Sequence, residues 1–220
     1  MVDIFDEVDE ELRAEQAEKV LKRYGGAIVA AAVLVVGLVA GWQGWQWWQA
    51  KQDAAAATAY VAAATAADNA APADSAARAN AIKALDALTA GTTEGYRTLA
   101  RLREAALKAD SGDIAGAAAL WDQVAGDGAA DPLIRDLATL MWAQRQLDQG
   151  DPDRLAARLS PLTAPGNAWR SLALEQLALL DLRQGRTDAA RDAFKKLSQD
   201  VAAPSGVRSR ASALLSRLGA

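Results

Sequence analysis

Residues 114–124 read IAGAAALWDQV and residues 187–197 read TDAARDAFKKL. Each stretch begins two residues after a glycine, Gly112 and Gly185, and a third glycine, Gly150, stands between them at spacings of 38 and 35 residues. Around each glycine the same residue types recur. Seven positions before stand Ala105, Ala143 and Ala178; five after, Ala117, Leu155 and Ala190; nine after, Trp121, Leu159 and Phe194; twelve after, Val124, Leu162 and Leu197. Positions nine and twelve differ by three, which places a large and a medium apolar residue on one face of a helix. An alanine upstream suits the place where two helices of a hairpin cross and only a small side chain fits. The pattern predicts three hairpins of helix, glycine turn and helix over residues 95–204.

This arrangement resembles the tetratricopeptide repeat, whose unit pairs a first helix carrying a small residue with a turn glycine and a second helix carrying alanine and an aromatic. The middle unit departs from it, because Pro152 and Pro161 flank its second helix and Pro161 is predicted to kink or end it. The early Trp and Tyr of the repeat pattern are also missing.

Outward from the repeats the chain stays helical in character. Alanine makes up a quarter of the 220 residues and proline only 6, so summed propensity favours an all-α fold: a single N-terminal transmembrane helix followed by a tetratricopeptide-repeat-like solenoid. Residues 51–94 read as an Ala-rich helical connector. It comprises a helix from Lys51 to Asp68, a loop from Asn69 to Asp74 containing Pro72, and a helix from Ser75 to Leu88. Residues 205–220 read as a capping helix, with Ser205 as its expected N-cap and an apolar stripe of Val207, Ala211, Leu214, Leu215 and Leu218; a solenoid needs such a cap on its last open face.

Upstream lies a segment of another kind. Ala27 to Trp48 reads AIVAAAVLVVGLVAGWQGWQWW, 22 residues without a charge, which as a helix rise about 33 Å, one bilayer crossing. Residues 24–50 are therefore expected to form an uncleaved transmembrane helix, with Trp42, Trp45, Trp47 and Trp48 as an outer interfacial belt and Tyr24 marking the inner interface. Gly37 and Gly41 stand in GxxxG spacing with Gly44 one turn on, a stripe that admits a second transmembrane helix, although the same spacing recurs by chance in Gly/Ala-rich spans. Arg13, Lys19, Lys22 and Arg23 precede the span and only Lys51 follows closely, which predicts a cytoplasmic N-terminus. Residues 1–23 are then an acidic cytoplasmic tail with 8 acidic and 4 basic groups, and the rest lies outside the cytoplasm.

The chemistry that the chain lacks narrows its function. With no Cys and no His it has no thiolate nucleophile, disulfide, imidazole base or Cys/His zinc site. No phosphate-binding glycine loop, dinucleotide fingerprint or calcium loop occurs, and carboxylates such as Asp127, Asp131, Asp148, Asp151 and Asp153 fall at helix ends, where capping accounts for them. A net charge of −4 gives no bulk attraction to nucleic acid. The expectation is a protein without enzymatic activity or cofactor, whose partners are a membrane and other proteins, with no nucleic acid and no small-molecule substrate.

The repeat register assigns a candidate partner-binding face to the first helices of the three units: Leu99 and Leu102 with Ala106, then Leu137, Leu140 and Gln144, then Leu172, Glu175 and Leu179. Two occupancies are open. Either the protein's own flanking helices fill this mostly apolar face, or it offers a groove to segments of partner proteins.

The order of the acidic leader DIFDEVDEELRAEQAEKVLKRYG, one span, and a repeat domain containing GYRTLARLREAALKADSGD resembles the YfgM-like family of bacterial inner-membrane proteins. That resemblance implies an ancillary subunit of the Sec translocon, whose periplasmic repeat domain helps secreted or envelope proteins pass from the translocon to periplasmic chaperones. The alternative is a scaffold for another envelope machine, such as cell division or cytochrome maturation.

Overall fold

The structure is a computed structural model describing residues 4–70 and 74–219, with side chains described from Lys22 onward. Asp3, the tail side chains up to Leu21, Arg13 and Lys19 among them, and Pro72 of the expected loop lie outside the described residues. Those residues are helical with short turns: α1 (Ile4–Asn69), α2 (Ser75–Gly91), α3 (Glu94–Asp110), α4 (Ile114–Gly126), α5 (Pro132–Gln146), α6 (Pro152–Leu159), α7 (Arg170–Arg183), α8 (Thr187–Gln199) and α9 (Ser205–Arg217). The chain divides into two compact units, Met1–Gln52 and Asp53–Ala220.

Helix starts in the second unit follow from local chemistry. Asp74, Asp113, Asp131 and Asp151 each accept a hydrogen bond from a backbone N–H in the first turn of α2, α4, α5 and α6. Four donors that an isolated helix end leaves without partners are thereby satisfied. Two of the repeat glycines end their helices alike. Gly112 and Gly185 have φ of 89° and 76°, a conformation that a side chain disfavours. The following N–H reaches back five residues, from Asp113 to the Lys108 carbonyl and from Arg186 to that of Asp181, both at 2.9 Å, the Schellman closure of a helix C-terminus. Gly150 turns differently: its N–H donates to the Gln146 carbonyl at 2.7 Å, and an added Cβ would stand 2.8 Å from that same oxygen. In the middle unit α6 ends at Leu159 and a 3-10 turn, Ser160–Thr163, follows around Pro161. α9 differs from expectation at its start. Its N-cap is Pro204, whose carbonyl accepts from Val207 and Arg208, so Ser205 is the first helical residue and caps nothing.

All twelve positions of the repeat register are buried, from Ala105, Ala143, Ala117, Leu155, Trp121, Leu159, Ala190 and Phe194 at 0% exposure to Leu162 at 3%. One apolar cluster joins α3 to α7 around Trp121 and Trp142, and another joins α7, α8 and α9 around Phe194, Val207 and Ala211. A third contains Ala63 and Ala67 of α1, Ala81 and Leu85 of α2, and Ala100 and Leu107 of α3. The end of α1 thus adds its buried alanines to a cluster in which α2 packs against α3.

Successive first helices are tied at a sequence distance of one repeat. Arg103 pairs with Asp68, 35 residues back; Arg145 pairs with Asp110 at 2.6 Å, also 35 back; Gln176 donates to the Leu140 carbonyl 36 back; and Arg210 pairs with Glu175, 35 back. Arg183 donates to the carbonyls of Leu147 and Gly150 at 2.7 and 2.6 Å, closing the end of α5. The result is an all-α repeat stack within residues 53–220.

In the first unit the residues from Lys22 onward, whose side chains are described, are helical. Every described side chain from Ala27 to Trp48 is exposed, and Lys22–Asn69 contains a window long and apolar enough to cross a membrane, none of it buried.

Candidate interaction surface

The eight residues of the candidate face have different surroundings. Leu99 on α3 is 40% exposed and Gln144 on α5 is exposed. Leu102, Leu137, Leu172 and Leu179 are half-buried; Leu102 leans on the central cluster, Leu179 on the Phe194 cluster, and Leu172 on both. Leu140, 5% exposed, is part of the central cluster, and Glu175, 6% exposed, is held by Arg210. Neither belongs to an open face. The reason is the superposition of repeats: α7 lies over α5 and α9 over α7, and each covers the side of the helix before it.

The charged network between repeats is not among the features assigned from the sequence. Its signal is the separation of 35 or 36 residues, which matches the repeat length. Arg158 adds to it, pairing with Asp122 on α4 and lying 4.0 Å from the ring centroid of Trp142, with Arg154 at 5.1 Å from the same ring. A planar guanidinium over the indole covers an aromatic that reaches the core edge.

One carboxylate stands apart electrostatically. Glu104 on α3 is 2% exposed, its Oε1 lies 3.4 Å from Lys108 Nζ, and its Oε2 has no hydrogen-bond partner. Burial raises its pKa above the ordinary value, the Lys108 charge and hydrogen bond oppose that rise, and the nearby Asp86 carboxylate adds to it. Among the described residues no group of three or more His, Cys, Asp or Glu side chains is placed to hold a metal ion.

In the apolar helix, Tyr24, Trp42, Trp45, Trp47 and Trp48 are 49 to 67% exposed. Trp45 and Trp48 have ring centroids 5.4 Å apart, Lys51 Nζ lies 5.5 Å from the Trp47 ring, and the Arg23 guanidinium lies 5.7 Å from Tyr24. An added Cβ at Gly37, Gly41 or Gly44 would meet nothing within 4 Å.

These features define a tetratricopeptide-like helical solenoid with one N-terminal helix of membrane-spanning length and apolarity, a scaffold suited to protein binding. Residues 18–216 match the family described as the tetratricopeptide repeat-like domain, and the chain belongs to that family. No curated protein and no solved structure matches it.

Proposed function

We propose that this protein is a single-pass inner-membrane protein whose repeat domain works in the periplasm, receiving secreted or envelope proteins from the Sec translocon and passing them to chaperones. The observation that carries the membrane half is the uncharged Ala27 to Trp48 stretch, exposed along its whole length and ending in four tryptophans. Such a surface is costly in water and at home in a bilayer, with indoles at the headgroup level. Four basic residues before the span against one soon after it support a cytoplasmic N-terminus and a periplasmic C-terminus.

The partner half rests on the repeat family and on the resemblance in segment order to the YfgM-like proteins. In this reading residues 1–23 form the cytoplasmic tail and residues 24–50 the anchor, while residues 51–94 connect it to the hairpins of 95–204, which residues 205–220 close. Contact to partners falls to the accessible members of the candidate face, Leu99, Leu102, Leu137, Gln144, Leu172 and Leu179. In the bilayer, the Gly37, Gly41 and Gly44 side admits a neighbouring helix. A reporter that works only in the periplasm, fused after Ala220, tests the orientation: activity supports it, and activity of a cytoplasmic reporter at the same site instead overturns it.

A further inference from the structure

Two turns between successive hairpins are built alike. Asp127 and Asp200 each stand fifteen residues after a turn glycine, Gly112 and Gly185, and each caps the C-terminus of its hairpin's second helix. Their backbones nearly coincide, with φ and ψ of −77° and 103° at Asp127 and −74° and 105° at Asp200. In both, the carboxylate Oδ1 accepts from the N–H two residues on, Ala129 at 3.2 Å and Ala202 at 2.9 Å. The aspartate carbonyl accepts from the N–H three residues on, Ala130 and Ala203, each at 3.1 Å. Oδ2 meets an arginine in each turn, Arg101 at 3.3 Å and Arg170 at 3.8 Å. The turns differ at the residue after the aspartate, which is Gly128 in the first and Val201 in the second.

The backbone does not require that glycine. Gly128 is exposed, its φ is negative, and an added Cβ would meet nothing within 4 Å, while Val201 fills the equivalent place at 91% exposure. What the glycine changes is chemistry. Without a side chain its backbone nitrogen is unshielded, whereas a β-branched residue crowds it. Asp127–Gly128 is the one Asp–Gly bond in the sequence, which has no Asn–Gly. The Ala129 hydrogen bond to Oδ1 closes a ring that contains both Asp127 Cγ and the Gly128 nitrogen, so the carboxyl is folded along the Gly128 peptide. The Arg101 pair is partly exposed, its side chains 21% and 24% accessible, and such pairs are weak restraints. We propose that Asp127–Gly128 is a site of covalent self-modification, where the aspartate isomerises to isoaspartate with water as the only reagent. The Gly128 nitrogen bonds to Asp127 Cγ, and one carboxyl oxygen leaves as water with the amide proton and a proton from solvent, giving a five-membered succinimide. Water then adds to a ring carbonyl and a ring C–N bond breaks, returning the solvent proton. Cleavage at Cγ restores aspartate; cleavage at the α-carbonyl routes the main chain through Cβ. One water has left and one has returned, so composition is unchanged. The extra backbone carbon separates Ala129 and Ala130 from their acceptors and loosens the junction of α4 with α5.

The test incubates the full chain in micelles at neutral pH in heavy-oxygen water, digests it in ordinary water, and reads the peptides by mass spectrometry with electron-transfer fragmentation, which distinguishes isoaspartate. Each passage through the succinimide leaves one heavy oxygen behind. Label should accumulate at Asp127 together with isoaspartate and stay at background at Asp200, whose turn is the internal control. Gly128→Val should bring the label at Asp127 to background, and Val201→Gly should create label at Asp200, both with circular dichroism unchanged. Background label at Asp127, equal label at Asp127 and Asp200 in the unsubstituted chain, persistence of the label in Gly128→Val, or no gain at Asp200 in Val201→Gly would each overturn the proposal.

Discussion

Arg210 of the last helix grips Glu175 of α7 with two parallel hydrogen bonds, Nε to Oε1 at 2.7 Å and Nη2 to Oε2 at 2.6 Å. The carboxylate is buried and the arginine is half in solvent, its side chain 55% exposed. The pair fastens the capping helix to the repeat beneath it, and the bond to Glu175 raises the Arg210 pKa further above its already high value.

Removing the arginine leaves a buried carboxylate with only water to turn to. Arg210→Ala should therefore cost about 1.5–3 kcal/mol, the range for hydrogen bonds to charged groups. Arg210→Lys should recover part of it, because one ammonium cannot reproduce the fork. Replacing both residues with leucine should be far milder than the arginine deletion alone. Chemical denaturation of the full chain in micelles reads all three.

The repeat register predicts its own weak points. Phe194 is fully buried between α7, α8 and α9, so Phe194→Ala should lose about 3–5 kcal/mol to the cavity. Ala178, 1% exposed where α7 meets α8, has no room for a branched side chain, and Ala178→Leu should cost about 1–3 kcal/mol in strain. Unchanged thermal melting of both variants would show that the buried register is misassigned.

These two residues also show what the sequence makes legible. Ala178 and Phe194 stand at fixed offsets from a turn glycine, and packing inside a hairpin depends on the small and large residues that such offsets reveal. The end of α1 adds Ala63 and Ala67 to a cluster with α2 and α3, and alanines at no fixed offset from a turn glycine carry no register, so composition shows only helices there. Leu140 and Glu175 are legible as one face of their helices, with coverage by the protein's own helices only one of two open occupancies, because what covers them lies one repeat away. That coverage is written in pairs such as Asp110 with Arg145, which become meaningful only once the stacking is known.

Leu140 follows directly. At 5% exposure and packed in the central cluster, it cannot take a charge without desolvating it, and Leu140→Glu should unfold the domain or lower its stability by several kcal/mol. Leu99→Glu, at an exposed position, should leave circular dichroism and melting close to wild type. Equal tolerance of both would mean that Leu140 is open to water.

Glu104 gives the pH dependence. Its carboxyl is raised in the folded chain, so the native state holds this proton to a higher pH than the unfolded state does. The group's contribution to stability therefore falls as pH rises from the ordinary carboxylate value through the raised one, and stays low above it. Glu104→Gln should melt higher than wild type at neutral pH despite losing the contact with Lys108, and the difference should shrink below about pH 4.5, where both states are protonated in the wild type. A gap that widens on acidification would contradict the assigned sign.

In the proposed function a membrane-anchored repeat domain meets the export machinery through its accessible first-helix face. The most direct measurement places a photoreactive residue at Leu99 or Gln144 of the full chain, irradiates intact membranes and identifies the crosslinked products. The account predicts translocon subunits or periplasmic chaperones from these positions and not from a photoreactive residue at the exposed Asp188 on α8. Recovery of another envelope machine instead, or the same products from Asp188, would contradict it.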